Sequence, residues 1–466
     1  MSTGTPNVIF VSLEDSNPWF GCYGHTQVKT PNIDAIASEG TVFRRAFCQA
    51  PVCNPSRASM ITGLRPDTTG VYGNFDEWRD KIPESTKTIP EHLCAAGYHT
   101  VNIGKVVHGW AGYTHPSAGG EERVRAMWET HLDNPAGKTP IKEPQRPTYE
   151  LREQDKQWPG AEFLQKSMNW GSTGLSAEDH ADAMRARAAA AAIKDHVVGN
   201  AGRPLFLSIG LISTHYAFRP PEEFAAMYPP ERILLRNYPA DDLDDVPVTY
   251  PPFNNGDEHR LTAEDKRSLI AAYFACISFV DYCIGILADA LKEAGMWEDT
   301  VFCISSDHGL HFGEHGLWRK ETLFEESAHV PLIVRAPGKP AGVSDALVEL
   351  VDWYPTLCRL CGVESPQGLE GTSLVPVMEE PSRSWKKAIF TQVRRGSKNV
   401  TVRTDAWRYS EWGGPKYREL YDLRNDPREI HNRAYDAAYA DQVAEMQRVL
   451  AGGWRGALPE GVDPIE

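Results

Sequence analysis

The chain lacks an uninterrupted apolar run of membrane-spanning length. Its most apolar stretch, Ala271 to Leu291, carries Asp281 and Asp289 and reads as a buried or amphipathic helix. Only Met1 to Pro6 precede the apolar run Val8-Ile9-Phe10-Val11, with no basic segment and no long apolar stretch. No secretory leader is expected in this chain, and no membrane partner. Positive charge is also scarce: Lys plus Arg number 48 against 63 Asp plus Glu, a formal net charge of −15. That balance argues against nucleic acid as a partner, because such affinity comes largely from neutralising phosphates. An anionic substrate would need a local concentration of cations. The nine cysteines contain no paired C-x-x-C zinc ribbon. Cys358 and Cys361 form one lone C-x-x-C, in a context that suggests helix packing rather than a redox motif. A reducing cytoplasm is the expected compartment. Internal repeats and low-complexity tracts are absent.

What is present suits a large enzyme. At 466 residues, 41% hydrophobic and 24% charged, the chain can bury one large core, with or without a smaller companion. Strands are predicted at Asn7–Leu13, His99–Ile103, Pro204–Gly210, Thr300–Ser305 and Val330–Ala336. Helices are predicted between them: one opened by Thr30 as N-cap and Pro31, with Gly40 as its stop, and one from about Pro55 to Gly63. Others are Ser176–His196 and Ala263–Ala294. This alternation predicts an α/β fold, a large and mostly parallel sheet sandwiched by helices. Such sheets gather ligands at the carboxyl ends of their strands. After about Gly371 the texture changes to short alternating runs, predicting a smaller C-terminal antiparallel sheet with a terminal helix from about Ala437 to Leu450. The Pro-rich segment from Gly112 to Trp158 reads as a long surface insertion.

The sharpest chemical signal is Cys53-Asn54-Pro55-Ser56-Arg57, followed by Ala58-Ser59-Met60-Ile61-Thr62-Gly63. Cys53 sits at a helix start, where free N–H groups and the dipole favour negative charge. Arg57 lies one turn on, on the same face. A lone Cys in this position is ordinarily structural. The acidic pairs Glu14-Asp15 and Asp307-His308 each follow a predicted strand, so one parallel sheet could bring them together as oxygen ligands for a hard cation. Taken singly, such pairs are often simple turns.

The C-x-P-S-R segment with Thr-Gly resembles the signature of the type I sulfatases, a branch of the alkaline phosphatase superfamily. Gly104-Lys105-Val106-Val107-His108-Gly109 resembles the G-K-x-x-H element of its iduronate 2-sulfatase-like branch. Matches continue through Ser213-Thr214-His215-Tyr216, Gly313-Glu314-His315-Gly316, Lys320, Val330-Pro331-Leu332-Ile333 and Glu419-Leu420-Tyr421-Asp422-Leu423, so the resemblance covers about the whole chain. It implies a catalytic domain over residues 1–375 and a small α+β subdomain over 376–466.

The resemblance further implies that a formylglycine-generating enzyme oxidises Cys53, and that the aldehyde hydrate attacks the sulfur of a sulfate ester. Glu14, Asp15, Cys53, Asp307 and His308 would hold one divalent metal. Calcium is the family default, with magnesium or manganese open through His308. Glu14 departs from the family's Asp-Asp pair. Arg57, Lys105 and Lys320 would hold the sulfate, His215 would protonate the departing alcohol, and His108 would take a proton from the hydrate as sulfate leaves. The expected substrate is a small anionic sulfate ester, such as a sulfated sugar or another small organic sulfate. Arg44-Arg45, Arg319 and Arg394-Arg395 are candidates for further anionic groups, and Trp19, Trp78 and Trp412 for a pocket wall or the core. Two alternatives stand beside this reading. One is a phosphonate, phosphodiester or phosphomonoester hydrolase of the same superfamily; the other is a non-catalytic anion-binding scaffold with an unmodified thiol.

Overall fold

Strand β1 (Asn7–Leu13) explains why its sheet is covered on both faces. Ile9, Val11 and Leu13 enter one apolar cluster while Val8 and Phe10 enter another, as side chains alternating across a strand must. The computed structural model describes residues 4–83, 85–108, 125–132, 142–145, 168–200, 202–247 and 261–465. The insertion expected over Gly112 to Trp158 therefore lies outside the described residues, apart from 125–132 and 142–145.

The remaining strands of this sheet are β2 (Thr41–Phe47), β3 (His99–Gly104), β4 (Thr130–Leu132), β5 (Leu205–Leu211), β6 (Thr300–Ser306), β7 (His329–Val330), β8 (Leu332–Arg335) and β9 (Gly342–Glu349). Their order is β4-β3-β5-β1-β6-β8-β2-β7, with β9 beside β2. The central run β4-β3-β5-β1-β6 is parallel throughout. Only β7 and β8, separated by Pro331, run against their neighbours. The sequence reading found β1, β3, β5, β6 and β8 but missed β2 and β9. Both are edge-side strands with solvent-facing residues, so they lack a continuous apolar run.

Helices α1 (Pro31–Ser38), α2 (Cys53–Thr62), α3 (Ala181–Gly199), α4 (Ala263–Glu293) and α5 (Trp353–Cys361) cover the sheet. On the face of Ile9 and Val11 lie α3 and α4, contributing Ala183, Ala186, Tyr273 and Ile277. Helix α4 is long and apolar enough to cross a membrane, yet it is buried almost continuously from Leu269 to Leu291. It is a core helix, started by a reciprocal cap between Thr262 and Asp265. The opposite face takes α2 and α5, with Trp353 stacked on Phe10 at 5.8 Å. Cys358 and Cys361 are free thiols in this core, and Trp19, Trp78 and Trp412 are likewise buried.

Three details of α1 and α2 differ from expectation, although α1 starts at Pro31 as predicted. Helix α2 begins at Cys53 itself, with Val52 as N-cap; Pro55 still lies in the first turn, where its missing N–H costs nothing. Thr30 does not cap α1: its hydroxyl accepts from the Gly21 N–H and donates to Asp34 instead. Gly40 is not the left-handed stop of α1. It is small because a Cβ there would meet the Val334 carbonyl oxygen at 2.8 Å.

The second sheet is antiparallel, in the order β10 (Ile389–Arg395), β11 (Ser397–Arg403), β12 (Trp407–Trp412) and β13 (Arg418–Asp422). Helix α6 (Ala440–Gly456) closes it, setting Val443 and Met446 against Val402, Tyr409 and Leu420. Asn399, in the lone Asn-x-Thr sequence, is buried within it. A buried charge cluster joins the two sheets. Arg65, just beyond α2, forks onto both oxygens of Glu349 at 2.7 and 2.6 Å. Lys386, at the entry to the small sheet, bridges Glu349 and Asp352 at 2.7 and 2.6 Å.

Candidate active site

Four adjacent parallel strands end in register: Leu13 of β1 lies beside Leu211 of β5 and Ser306 of β6, and Gly104 of β3 beside Gly210 of β5. The turns that follow carry Glu14-Asp15, Lys105, Ser213-Thr214-His215 and Asp307-His308, so the topology alone delivers them to one edge. Two glycines allow the tightest turn. Gly104 has φ +75, and a Cβ on either glycine would strike the opposite backbone: Gly210 O at 2.3 Å for Gly104, Lys105 O at 2.2 Å for Gly210.

Helix α2 aims Cys53 into this edge. Its Sγ lies 3.2 Å from Lys320 Nζ, 3.4 Å from His308 Nε2 and 3.9 Å from Asp15 Oδ1. Burial pushes the thiol up to about 12, against the pull of Lys320 and Lys105, so the unmodified sulfur stays protonated. Ser56, one turn in, donates to the Asp307 carbonyl at 2.5 Å and pins the helix to the β6 turn.

Arg57 is buried and fully engaged. Its Nε donates to Asp307 Oδ2 at 2.9 Å, and its other donors reach Ser12 Oγ and the carbonyls of Leu13, Lys105 and Val106. The sequence reading placed this guanidinium on the substrate. The structure instead binds it to Asp307 and to the turns after β1 and β3, where it orients the site. Burial disfavours ionising Asp307, yet Arg57 and His308 hold its carboxyl well below the usual range. Its other oxygen accepts from the backbone N–H groups of Asp15 and His308 at 2.9 and 3.0 Å. Asp15 sits in the left-handed region, φ 54, which a short acidic residue tolerates.

Two groups of side chains have the spacing of a metal centre. Asp15, Cys53, Asp307 and His308 place one ligand atom each within 4.8 Å of one another, and so do Glu14, Asp15, Cys53 and His215. The ring of His308 is set for ligation. Its Nδ1 faces the Gly309 carbonyl at 3.0 Å, so Nε2 carries the lone pair toward Cys53 and Asp15. Glu14 supplies a second sign: fully buried, it leaves Oε2 without a hydrogen-bond partner while Oε1 pairs with Lys105. Burial opposes its charge, but Lys105, His215 and Arg57 hold it ionised. The longer Glu14 thus still reaches the centre. These carboxylates, a bare imidazole nitrogen and an orphaned carboxylate oxygen fit a hard divalent cation.

The cations flank this centre. Lys320 Nζ lies 2.7 and 2.8 Å from the two oxygens of Asp15. Three acids (Glu14, Asp15, Asp307) face three cations (Arg57, Lys105, Lys320), so the side chains nearly cancel; a dication would turn the centre into an anion receptor. His215 is a quarter exposed at the mouth, with Nε2 3.8 Å from Asp15 Oδ2. His108 is buried, its Nδ1 has no partner among the described residues, and burial and then Lys105 push its ring down to about 2. It therefore stands neutral beside the lysines, without a direct bond to Cys53. All nine other proposed site residues, His108 included, gather with Cys53 at this edge.

Sequence reasoning missed the residues that hold these side chains in place. Asp182 of α3 accepts from the N–H groups of Ile212 and Ser213 at 2.9 and 2.8 Å and from Ser213 Oγ, shaping the His215 turn. Tyr273 of α4 donates to the Asp15 carbonyl at 3.0 Å. Asn17 bonds both the N–H and the carbonyl of Leu310. Each lies far in sequence from its partner, and no short motif announces it. Among the arginines proposed for further anions, Arg44 pairs with Asp345, Arg45 with Asp405, Arg394 lies over Tyr72 and Arg319 lies over Tyr216.

A buried cysteine among carboxylates, imidazoles and lysines, at the carboxyl edge of this sheet, fits a hydrolase of the alkaline phosphatase-like fold. The sulfatase family pattern matches residues 6–363, and the C-terminal region of N-sulphoglucosamine sulphohydrolase matches residues 313–453. A sulfatase of Formosa agariphila is 31% identical over 96% of this chain and 86% of its own length. Human iduronate 2-sulfatase is 30% identical over 78% of this chain and 70% of its own length. The solved phosphonate monoester hydrolase of Agrobacterium radiobacter shares the fold at a TM-score of 0.75, with 22% identity, covering 97% of this chain and 95% of that one. The chain belongs to the sulfatase family, and its activity is that of a sulfuric ester hydrolase.

Proposed function

We propose that the protein hydrolyses a small sulfate ester at a formylglycine made from Cys53, assisted by one divalent cation, calcium in first place. The observation that carries this reading is the position of Cys53 Sγ, within 4 Å of Lys320, His308 and Asp15 at the strand edge. Asp15, Asp307, His308 and Glu14 would hold the cation, which supplies positive charge to the sulfuryl oxygens. Formylglycine hydrate supplies two hydroxyls on one carbon, one to bond sulfur and one to expel sulfate afterwards.

The chain's own residues do the rest. Lys105 and Lys320, anchored on Glu14 and Asp15, offset the charge that builds on oxygen as the S–O bond breaks. Arg57 keeps Asp307 ionised and the β1 and β3 turns fixed. His215, partly exposed at the mouth, gives a proton to the departing alcohol. His108, held neutral, accepts a proton at its unpartnered Nδ1. Maturation calls for a formylglycine-generating enzyme as a transient partner.

Similarity to an iduronate 2-sulfatase favours a small sulfated sugar as substrate. Nine free thiols suit a reducing cytoplasm. Residues 1–375 form the catalytic part of this reading and 376–466 its companion. A panel of aryl sulfates, phosphates and phosphonates beside sulfated mono- and disaccharides and choline sulfate tests it. Sulfate esters should be turned over fastest, and a clear phosphonate preference overturns the reading.

A further inference from the structure

A second cluster lies between the active-site loop and the C-terminal sheet. His315, Glu326 and Glu429 each place one ligand atom within 4.8 Å of the others. His315 is buried, and its Nδ1 lies 2.7 Å from Asp242 Oδ2. That contact fixes the tautomer: Nδ1–H donates to the carboxylate, so Nε2 presents a bare lone pair. Among the described residues, Nε2 has no hydrogen-bond partner and faces Glu326 Oε2 at 3.7 Å, which has none either. Phe324 stacks on the imidazole at 3.8 Å between ring centroids and holds it in place.

The neighbouring cations each have a partner, which for Arg408 is Glu429 itself. Arg236 binds Glu314, and Arg428 donates to the Asn237 carbonyl over the Tyr238 ring. Glu326 Oε1 has a long contact from the Tyr238 hydroxyl, 3.5 Å.

We propose that His315 Nε2, Glu326 and Glu429 form a second divalent-cation site, separate from the catalytic centre, with Asp242 orienting the histidine. One imidazole and two carboxylates suit a borderline cation such as Zn2+. The place of the site gives it a purpose. His315 and Glu326 flank Lys320 in the chain, and Glu429 belongs to the C-terminal part. A bound ion would close the Lys320 loop and staple it to that part, where Glu325 N–H already donates to Glu429 Oε2 at 3.0 Å.

The test is zinc stoichiometry on the full-length protein, stripped with chelator and titrated with ZnCl2 by calorimetry, with metal analysis after dialysis. Wild type should take two equivalents. His315→Ala and Glu326→Gln should each keep one, and Asp307→Asn should lose the other. Asp242→Asn should weaken only the second site, by about 10- to 100-fold. Glu326→Gln keeps the side chain's size, so it carries the test if His315→Ala does not fold. None in wild type, or one equivalent that Asp307→Asn abolishes and Glu326→Gln does not, overturns the proposal, as does undiminished stoichiometry in Glu326→Gln.

Discussion

Replacing Glu349 by Gln probes how the two sheets are held together. The carboxylate accepts a forked pair from Arg65, a bond from Lys386 and the Phe390 N–H, all out of water. Burial alone would raise its pKa, but Arg65 and Lys386 pull it down from 4.5 to about 2. The folded value lies below the unfolded one, so the linked stability is present above the unfolded pKa and lost as pH falls through the folded one. The gap of about 2.5 units corresponds to about 3 kcal/mol at neutral pH. Removing one partner of a buried pair costs about 3–5 kcal/mol, because Arg65 and Lys386 both lose their shared carboxylate, so the two routes agree. In urea unfolding, Glu349→Gln should lose about 3 kcal/mol at pH 7, and the deficit should shrink by about 1 kcal/mol near pH 4. A loss under about 1 kcal/mol, or one unchanged between neutral and acid pH, refutes the reasoning.

Other consequences can be checked together. Lys320→Ala and Lys105→Ala should each lower kcat/KM for a sulfate ester by about 100- to 1,000-fold in steady-state assays, since each removes a preplaced charge. Chelator should abolish sulfate release and Ca2+ should restore it, whereas Asp307→Asn should resist rescue; activity surviving exhaustive chelation would contradict the metal assignment. Asp182→Ala should lower kcat and cost about 1–3 kcal/mol in stability, because the N–H groups of the His215 turn lose their buried acceptor. Mass spectrometry of the peptide carrying Cys53 from co-expression with a formylglycine-generating enzyme should show one sulfur and two hydrogens replaced by one oxygen.

Much of this was legible in the sequence because the chemistry sits where the pattern is strongest. Strands β1, β3, β5 and β6 are apolar on both faces, so they read as continuous runs, and the acids and cations follow at their ends. The C-x-P-S-R segment located Cys53, though not the first residue of α2, because Val52 caps the helix without a polar side chain. What stayed hidden is set by contacts between residues tens to hundreds of positions apart. Arg57 reads as a substrate ligand until Ser12, Leu13 and Lys105 come within its reach. Asp182, Tyr273 and Asn17 work through backbone groups that no local spacing reveals. Glu14 looked like a flaw in an acidic pair, and three-dimensional proximity shows it oriented by Lys105 with one oxygen to spare.

The most direct trial of the account is the initial rate of inorganic sulfate release from a defined sulfate-ester panel, comparing matured wild type with Cys53→Ala at equal folded concentration. Wild type should release sulfate from at least one small ester, and the variant should fall to the uncatalysed rate. Equal release by both, or turnover of phosphonates with none of sulfates, would contradict a sulfatase centred on Cys53.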